Sequence, residues 1–344
     1  MLTMAATTYA SAGVDIDAAD RAKARIKRLA RTTFNRQVLA EIGGFGGLFQ
    51  LPRGYKQPVL VSSVDGVGTK LKVAFQTGIH NTVGRDLVNH CVNDILVQGA
   101  VPLFFLDYIA VGRLVPATAA ALVEGLSRGC RENGCVLIGG ETAEMPGFYA
   151  AGEYDLAGCI VGIVDRAEVI TGAKIRPGDV LLGLRSAGLH TNGYALARKL
   201  LFDTAGYRAS TRLKELNATI GEILLAEHRS YLPPLRPILK RLRGLAHITG
   251  GGIPGNLPRI LPPGCAAEIQ TSAWEPPPLF RLLQRIGEVP EAEMRRTFNL
   301  GIGMILVVAP GERAAVERHL RRIGETPIGL GRIVAGRRRV IFRP

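Results

Sequence analysis

Ser62-Ser63-Val64-Asp65-Gly66-Val67-Gly68-Thr69-Lys70 reads SSVDGVGTK and closes an apolar run that starts at Pro58. Such a run bounded by glycines has the pattern of a buried strand. Glycine, threonine and lysine are the letters of a phosphate-binding loop. That loop needs GxxxxGK followed by serine or threonine, with the lysine and hydroxyl opening a helix. Here threonine precedes lysine, so the stretch is not that loop. It offers instead an aspartate at a strand end, followed by a pliable backbone. Alone it reads as a plain Asp-Gly turn. A carboxylate meets a phosphate only across a cation, and Mg²⁺ held by one or two carboxylates plus phosphate oxygens is the usual bridge.

Around this strand the pattern alternates. Residues 17–41 carry apolar positions at helical spacing (Ile26, Leu29, Ala30, Phe34, Val38), broken by IGGFGG at 42–47. A helix is expected over 84–100, a strand over 103–111, a helix over about 116–133 and strands over 135–140 and 155–165. Mixed α/β layering follows. A second unit starts near 167–175, with strands near the Pro177-Gly178-Asp179 turn and over 299–308, and a helix over 193–203. The expected division is 1–170 and 171–344, in keeping with 344 residues.

Composition narrows the class. Hydrophobic residues make up 47% and charged residues 21%, as in ordinary globular proteins. No apolar run reaches the ~18 residues of a membrane helix. The first thirteen residues lack a cationic start and apolar core, so no secretory leader is read there. The five cysteines form no CxxC pair, which suits reduced thiols in the cytoplasm. The net charge of +14 raises nucleic acid as a partner. Only 6% of residues are aromatic, and none interleave with the arginines as a single-strand-binding face requires.

Four groups carry chemistry. The first is Asp65 with Gly66, Gly68, Thr69 and Lys70. In the helix that follows, Asp86, Asn89, His90, Asn93 and Asp94 share one side. Short Asp and Asn are poor helix formers there but good oxygen ligands; Asp94 is the ligand candidate and His90 a hydrogen-bonding one. The third group is Gly139-Gly140-Glu141, where glycines let the backbone approach a ligand at a strand end, with Asp107 inside an apolar strand nearby. Asp65, Asp94, Asp107 and Glu141 would form an acidic metal-nucleotide pocket. The fourth comprises two turns, Leu189-His190-Thr191-Asn192-Gly193 and His247-Ile248-Thr249-Gly250-Gly251-Gly252, each offering amides at a helix start, the setting for an anion.

Read in order, GVDIDA, GGFGGLF, PVLVSSVDGVGTKL, VNDILVQGA, GGETAEMPG, LHTNGYAL, HITGGGIPGNLPR and RTFNLGIGM resemble the phosphoribosylformylglycinamidine cyclo-ligase (aminoimidazole ribonucleotide synthetase) family, from about Tyr9 to about Val334. The resemblance implies a two-domain fold of the AIR-synthetase type. Its N-terminal α+β domain pairs its sheet with a twin's in a homodimer, and its C-terminal domain is α/β. It implies ATP-dependent closure of formylglycinamidine ribonucleotide to 5-aminoimidazole ribonucleotide in purine biosynthesis, with release of ADP and phosphate. By matched motif, Asp65 and Asp94 would hold Mg²⁺ with Asp107 and Glu141 in support. Lys27, the Gly43-Gly44-Phe45-Gly46-Gly47 flap, Gly66, Gly68, Thr69, Lys70, Asn93 and Gly139–Glu141 would border the nucleotide. His190, Thr191, Asn192, His247, Thr249, Gly250, Gly251 and Gly252 would face the substrate. A general base would be His190 or His247, since histidine titrates near neutrality.

Related readings fit less well. Selenophosphate synthetase carries a reactive cysteine or selenocysteine near its N-terminus, whereas no cysteine here precedes Cys91. Thiamine-monophosphate kinase and hydrogenase-maturation relatives lack the combination of GGETAEMPG, LHTNG and HITGGG. Formylglycinamidine ribonucleotide synthetase has a differently arranged chain. A dinucleotide fold needs GxGxxG after a strand, and Gly44-Phe45-Gly46 follows a helix pattern instead.

Overall fold

The computed structural model describes Tyr9 and residues 13–344, so the reading of the N-terminal leader lies almost wholly outside the described residues. The helical pattern from residue 17 becomes α1 (Ile16–Arg31), with Asp15 capping it by accepting from the Ala18 amide. It ends seven residues before the last of those apolar positions, Val38. The hydroxyls of Thr32 and Thr33 donate to the carbonyls of Leu29 and Ala30, both at 2.6 Å, and so compete with a further turn.

The first sheet holds β1 (Pro58–Gly66), β2 (Val101–Val111), β3 (Val136–Glu144) and β4 (Tyr154–Asp165), in the order β1-β4-β2-β3. Only β2 and β3 are parallel, joined through the crossover helix α4 (Pro116–Asn133). The short α2 (Leu71–Thr77) and the long α3 (Val83–Leu96) follow β1. Helices α1, α3 and α4 pack on one face. Alternation along β1 sends Val61, Ser63 and Asp65 toward them and leaves Leu60 and Val64 on the open face.

The second sheet runs β10-β7-β9-β5-β8-β6. Its strands are β5 (Val180–Arg185), β6 (Leu242–His247), β7 (Cys265–Gln270), β8 (Ile302–Val308), β9 (Ile328–Ala335) and β10 (Val340–Arg343). Central β8 is buried at every position. Helices α5 (Pro278–Gly287) and α6 (Arg313–Arg322) flank one face, where the core runs on into the first domain. A separate apolar cluster fills the other face. Strands β7, β9 and β10 leave little mark in the sequence, because CAAEIQ and IGLGRIVA hold small residues and glycines in place of a β-branched run.

The polar side of α3 has a job that its spacing does not reveal. It grips the extended segment 226–231 of the second domain. Asp86 accepts the His228 amide at 2.5 Å. Asn89 donates to the His228 carbonyl at 2.7 Å. Asn93 donates to the Arg229 carbonyl at 2.8 Å and accepts the Tyr231 amide at 2.9 Å. Arg85 and Arg128 both pair with Glu227. Lys70 reaches Asp86 at 2.7 Å and the Ala226 carbonyl at 2.8 Å, with both charged side chains fully buried. Burial pushes the Asp86 carboxyl up, and the Lys70 ammonium opposes that rise.

Removing one member of such a pair strands the other in the interior, at a cost of about 3–5 kcal/mol. Lys70→Met is therefore expected to lower the urea midpoint sharply. Adding Asp86→Asn should recover part of the loss in a double-mutant cycle; equal, additive losses would contradict the pairing.

Candidate active site at the domain junction

Because Asp86, Asn89 and Asn93 lock α3 to the second domain, His90 and Asp94 on the same helix open onto the gap between the two sheets. There β1 contributes Ser63 and Asp65. The second domain contributes Asn192, Leu245 to His247, and the Thr249–Gly250 turn. Asn256 ties that turn by donating to the carbonyls of Thr249, Gly250 and Gly252. Gly252 sits at φ 58° with its Cα against the Arg295 carbonyl, where any side chain would collide. These groups and Arg259 line a cavity of about 700 Å³.

One hydrogen-bonded chain crosses the cavity wall between the two carboxylates. Asp65 Oδ2 lies 2.6 Å from His90 Nε2. His90 Nδ1 lies 2.6 Å from Thr191 Oγ1, which is 3.4 Å from His228 Nδ1. His228 Nε2 is 3.1 Å from His247 Nε2, and His247 Nδ1 is 2.8 Å from Asp94 Oδ1. The Ser63 hydroxyl donates to Asp94 Oδ2 at 3.1 Å. One proton assignment gives each link of this chain one donor and one acceptor. A doubly protonated His90 donates to Asp65 and Thr191. Thr191 donates to His228 Nδ1, His228 Nε2–H donates to His247, and His247 Nδ1–H donates to Asp94.

The electrostatics agree with that assignment. Burial works against charge on His90, but the Asp65 and Asp94 carboxylates raise its pKa above the ordinary imidazole value. Burial likewise opposes ionisation of Asp65 and Asp94, yet His90 and the Gly66 amide hold the first below its usual value, and His247 holds down the second. At His247 burial outweighs Asp94 and keeps the ring neutral. Burial first, and neighbouring histidines next, push His190 and His228 well down. His90 Nε2 stands 2.6 Å from Asp65 and 3.6 Å from Asp94, so both carboxylates serve one small volume. Hard oxygen donors so gathered suit Mg²⁺.

The model for AIR synthase related proteins, N-terminal domain, matches residues 50–164, and the C-terminal domain model matches residues 176–343. A phosphoribosylformylglycinamidine cyclo-ligase from Sorangium cellulosum is 52% identical over 332 residues, 95% of each chain. The chain belongs to this cyclo-ligase family. The fold extends further. Thiamine-monophosphate kinase from Stenotrophomonas maltophilia superposes with a TM-score of 0.66 at 18% identity, covering 94% of both chains. A hydrogenase maturation protein in complex with ATP gives 0.61 at 16% identity, covering 91% of this chain and 88% of that one.

Within this family member, several residues singled out from sequence lie away from the cavity. Lys70 is turned inward to Asp86, and Asn93 is spent on the 229–231 backbone, so neither lines the cavity. His190 is buried at φ 61°, stacked 4.0 Å over His228, with Nε2 accepting the Ala187 amide at 3.1 Å. Thr191 stands behind the wall as a bridge. The expected four-carboxylate pocket is divided. Asp65, Gly158, Asp107 and Gly140 form one row across β1, β4, β2 and β3. Two strand spacings put Asp65 and Asp107 roughly 10 Å apart. Burial raises the Asp107 carboxyl to about 7, and Glu141 adds to the rise. Glu141 pairs beside Tyr108 on the open face. Gly47 packs on the Ile138 side chain of β3, and α1, which carries half-buried Lys27, also packs on β3. Gly66, Gly68 and Thr69 follow Asp65 at the end of β1, and Gly251 lies within the Asn256-tied turn.

Sequence reasoning passed over His228, Asn256 and Arg259. His228 sits in a stretch that reads as plain polar chain. Arg259 closes the HITGGGIPGNLPR motif, and it is the one Lys or Arg among the described residues lining the cavity.

His247→Gln is expected to lower kcat/KM at least 100-fold while leaving the melting temperature near wild type. His190→Gln should do the opposite, lowering the melting temperature first. Paired pH–rate and thermal-melt measurements separate the two. A catalytic loss confined to His190→Gln would reverse the assignment.

Proposed function

We propose that the chain closes the imidazole ring of 5-aminoimidazole ribonucleotide from formylglycinamidine ribonucleotide, consuming ATP. Family membership at 52% identity over nearly the whole chain is the observation that carries this. The chemical problem is a poor electrophile. A formamide oxygen leaves badly; transfer of the ATP γ-phosphoryl group onto it releases ADP and lets it depart as phosphate when the amidine nitrogen attacks the carbon. ATP as phosphoryl donor is in line with the ATP complex of the structural neighbour. Asp65 and Asp94 would hold Mg²⁺, which when bound supplies charge neutralisation for the phosphates.

The chain's own residues do the remainder. Arg259 and the amides of the Thr249–Gly252 turn receive the substrate phosphate, as helix-start amides and guanidinium groups do. Asn192 donates to substrate oxygens. In the Asp94–His247 pair the partly exposed Asp94 carboxylate accepts the proton leaving the amidine nitrogen, while the Nδ1–H of neutral His247 holds that carboxylate in place. Such base catalysis supplies ~10²–10⁴ in rate. Holding nucleophile and electrophile in one molecule within a closed cleft adds proximity.

A homodimer belongs to the same proposal. The open face of the first sheet exposes Leu60 (56%), Val64 (69%) and Tyr108 (39%), with no helix of the chain packed upon it among the described residues. A second copy would cover this apolar face. Glu141 would then stand at the seam, which accounts for an edge group that does not join the cleft within one chain. The setting we propose is the cytoplasm, in keeping with five free cysteines. No helix among the described residues is long and apolar enough to cross a membrane.

Incubated with ATP, Mg²⁺ and formylglycinamidine ribonucleotide, the protein should release aminoimidazole ribonucleotide and ADP in equal amounts. ADP without aminoimidazole product would sink the reading. Val64→Glu should halve the mass seen by light scattering; an unchanged mass would remove this face as the dimer contact.

A further inference from the structure

A second cavity, of about 440 Å³, lies on the other side of the interdomain linker from the cleft. Its volume falls within the ~300–1,000 Å³ of small-molecule sites, and domain junctions are where such sites concentrate. Its apolar wall includes Val101, Ile163, Leu239 and Leu242. Its cations, Lys174, Arg236, Lys240 and Arg243, all come from the second domain. Residues 171–344 carry 27 Lys and Arg against 13 Asp and Glu, whereas residues 1–170 carry 16 of each, so the whole net charge of the chain sits on that side.

The charges around the cavity are only partly matched. Lys240 pairs with Glu168 at 2.6 Å and Arg243 with Asp179 at 2.7 Å. Asp165 is taken by the Lys56 and Gln57 amides at 2.7 and 3.3 Å. Lys174 and Arg236 have no carboxylate partner among the described residues. The Tyr55 side chain stands near Arg236 at the same wall. Two free cations over an apolar wall suit a phosphate monoester with a flat body.

Two elements touch both cavities. Val169, Ile170 and Thr171 of the linker line each of them, and the Ile170 amide is anchored to the Gln98 carbonyl at 3.0 Å, just beyond the end of α3. Strand β6 presents Leu242 and Arg243 to the second cavity and Leu245 to His247 to the cleft. Anything that shifts β6 moves His247 against Asp94.

We propose that this cavity is a regulatory site for a nucleoside monophosphate, held through Lys174 and Arg236 and coupled to the cleft through β6 and the linker. The coupling is reciprocal: a ligand that changes substrate affinity has its own affinity changed by the same factor.

The test titrates adenosine monophosphate into the protein by calorimetry, with the cleft first saturated by ADP and Mg²⁺. One further equivalent per chain is expected. Lys174→Ala/Arg236→Ala should weaken it at least tenfold while leaving kcat without the monophosphate unchanged. In the cyclisation assay, the monophosphate should change KM for formylglycinamidine ribonucleotide at least threefold in wild type and not in the double variant. The binding measurement does not depend on the reaction, so its failure is distinct from failure of the proposed activity. No further equivalent, equal binding by the double variant, or an unchanged wild-type KM would overturn the proposal.

Discussion

Everything at this site depends on one buried polar contact: helix α3 holding the backbone of residues 226–231. Asp86, Asn89 and Asn93 satisfy amides and carbonyls that a covered loop would otherwise leave unpaired. An unmet buried donor or acceptor costs about 1–3 kcal/mol, so the groups are kept in register. Lys70, reaching over from the end of β1, neutralises Asp86 and holds the Ala226 carbonyl. The two domains are thereby joined by directional bonds as well as by a shared apolar core. Directional bonds fix orientation in a way that apolar packing alone does not.

That orientation is what builds the cleft. The same helix that grips the second domain with three residues offers it two more, His90 and Asp94. One i, i+4 stripe therefore serves as both clamp and site. The chain starts at Asp65 and His90 in the first domain, runs through Thr191, His228 and His247 of the second, and returns to Asp94 of the first. A relative shift by one bond length at the clamp would break it. A stable interface and a working site are here a single requirement.

The first-domain strands and helices were legible because their periodicities are clean: PVLVSSVD, LFFLDYIAV and the α4 pattern all became the elements expected of them. The end of α1 was misread because two threonine hydroxyls outcompete a pattern that runs on past them. Strands β7 and β9 were missed because small residues and glycines carry no alternation; they become strands because β9 pairs with the buried β5 and β7 pairs with β9. Among site residues, Asp65, Asp94, His247 and the Thr249–Gly250 turn meet in one cavity. Lys70, Asn93 and His190 looked alike in sequence and do not, since residue type says nothing about which way a buried polar group is spent.

From the sequence alone came the family, the α/β layering and the acidic and glycine-rich pieces, because each is written in local order and spacing. Which carboxylates share a volume, which histidine stands at the cleft and which merely supports it, was decided only by tertiary structure. Sheet order puts one strand, β4, between Asp65 and Asp107, and pleating turns Glu141 to the opposite face. His228 owes its role to a segment whose partners lie some 140 residues earlier in the chain, at Asp86 and Asn89. Hydrogen bonds at that separation leave no trace in local pattern; they exist only once the two domains are docked.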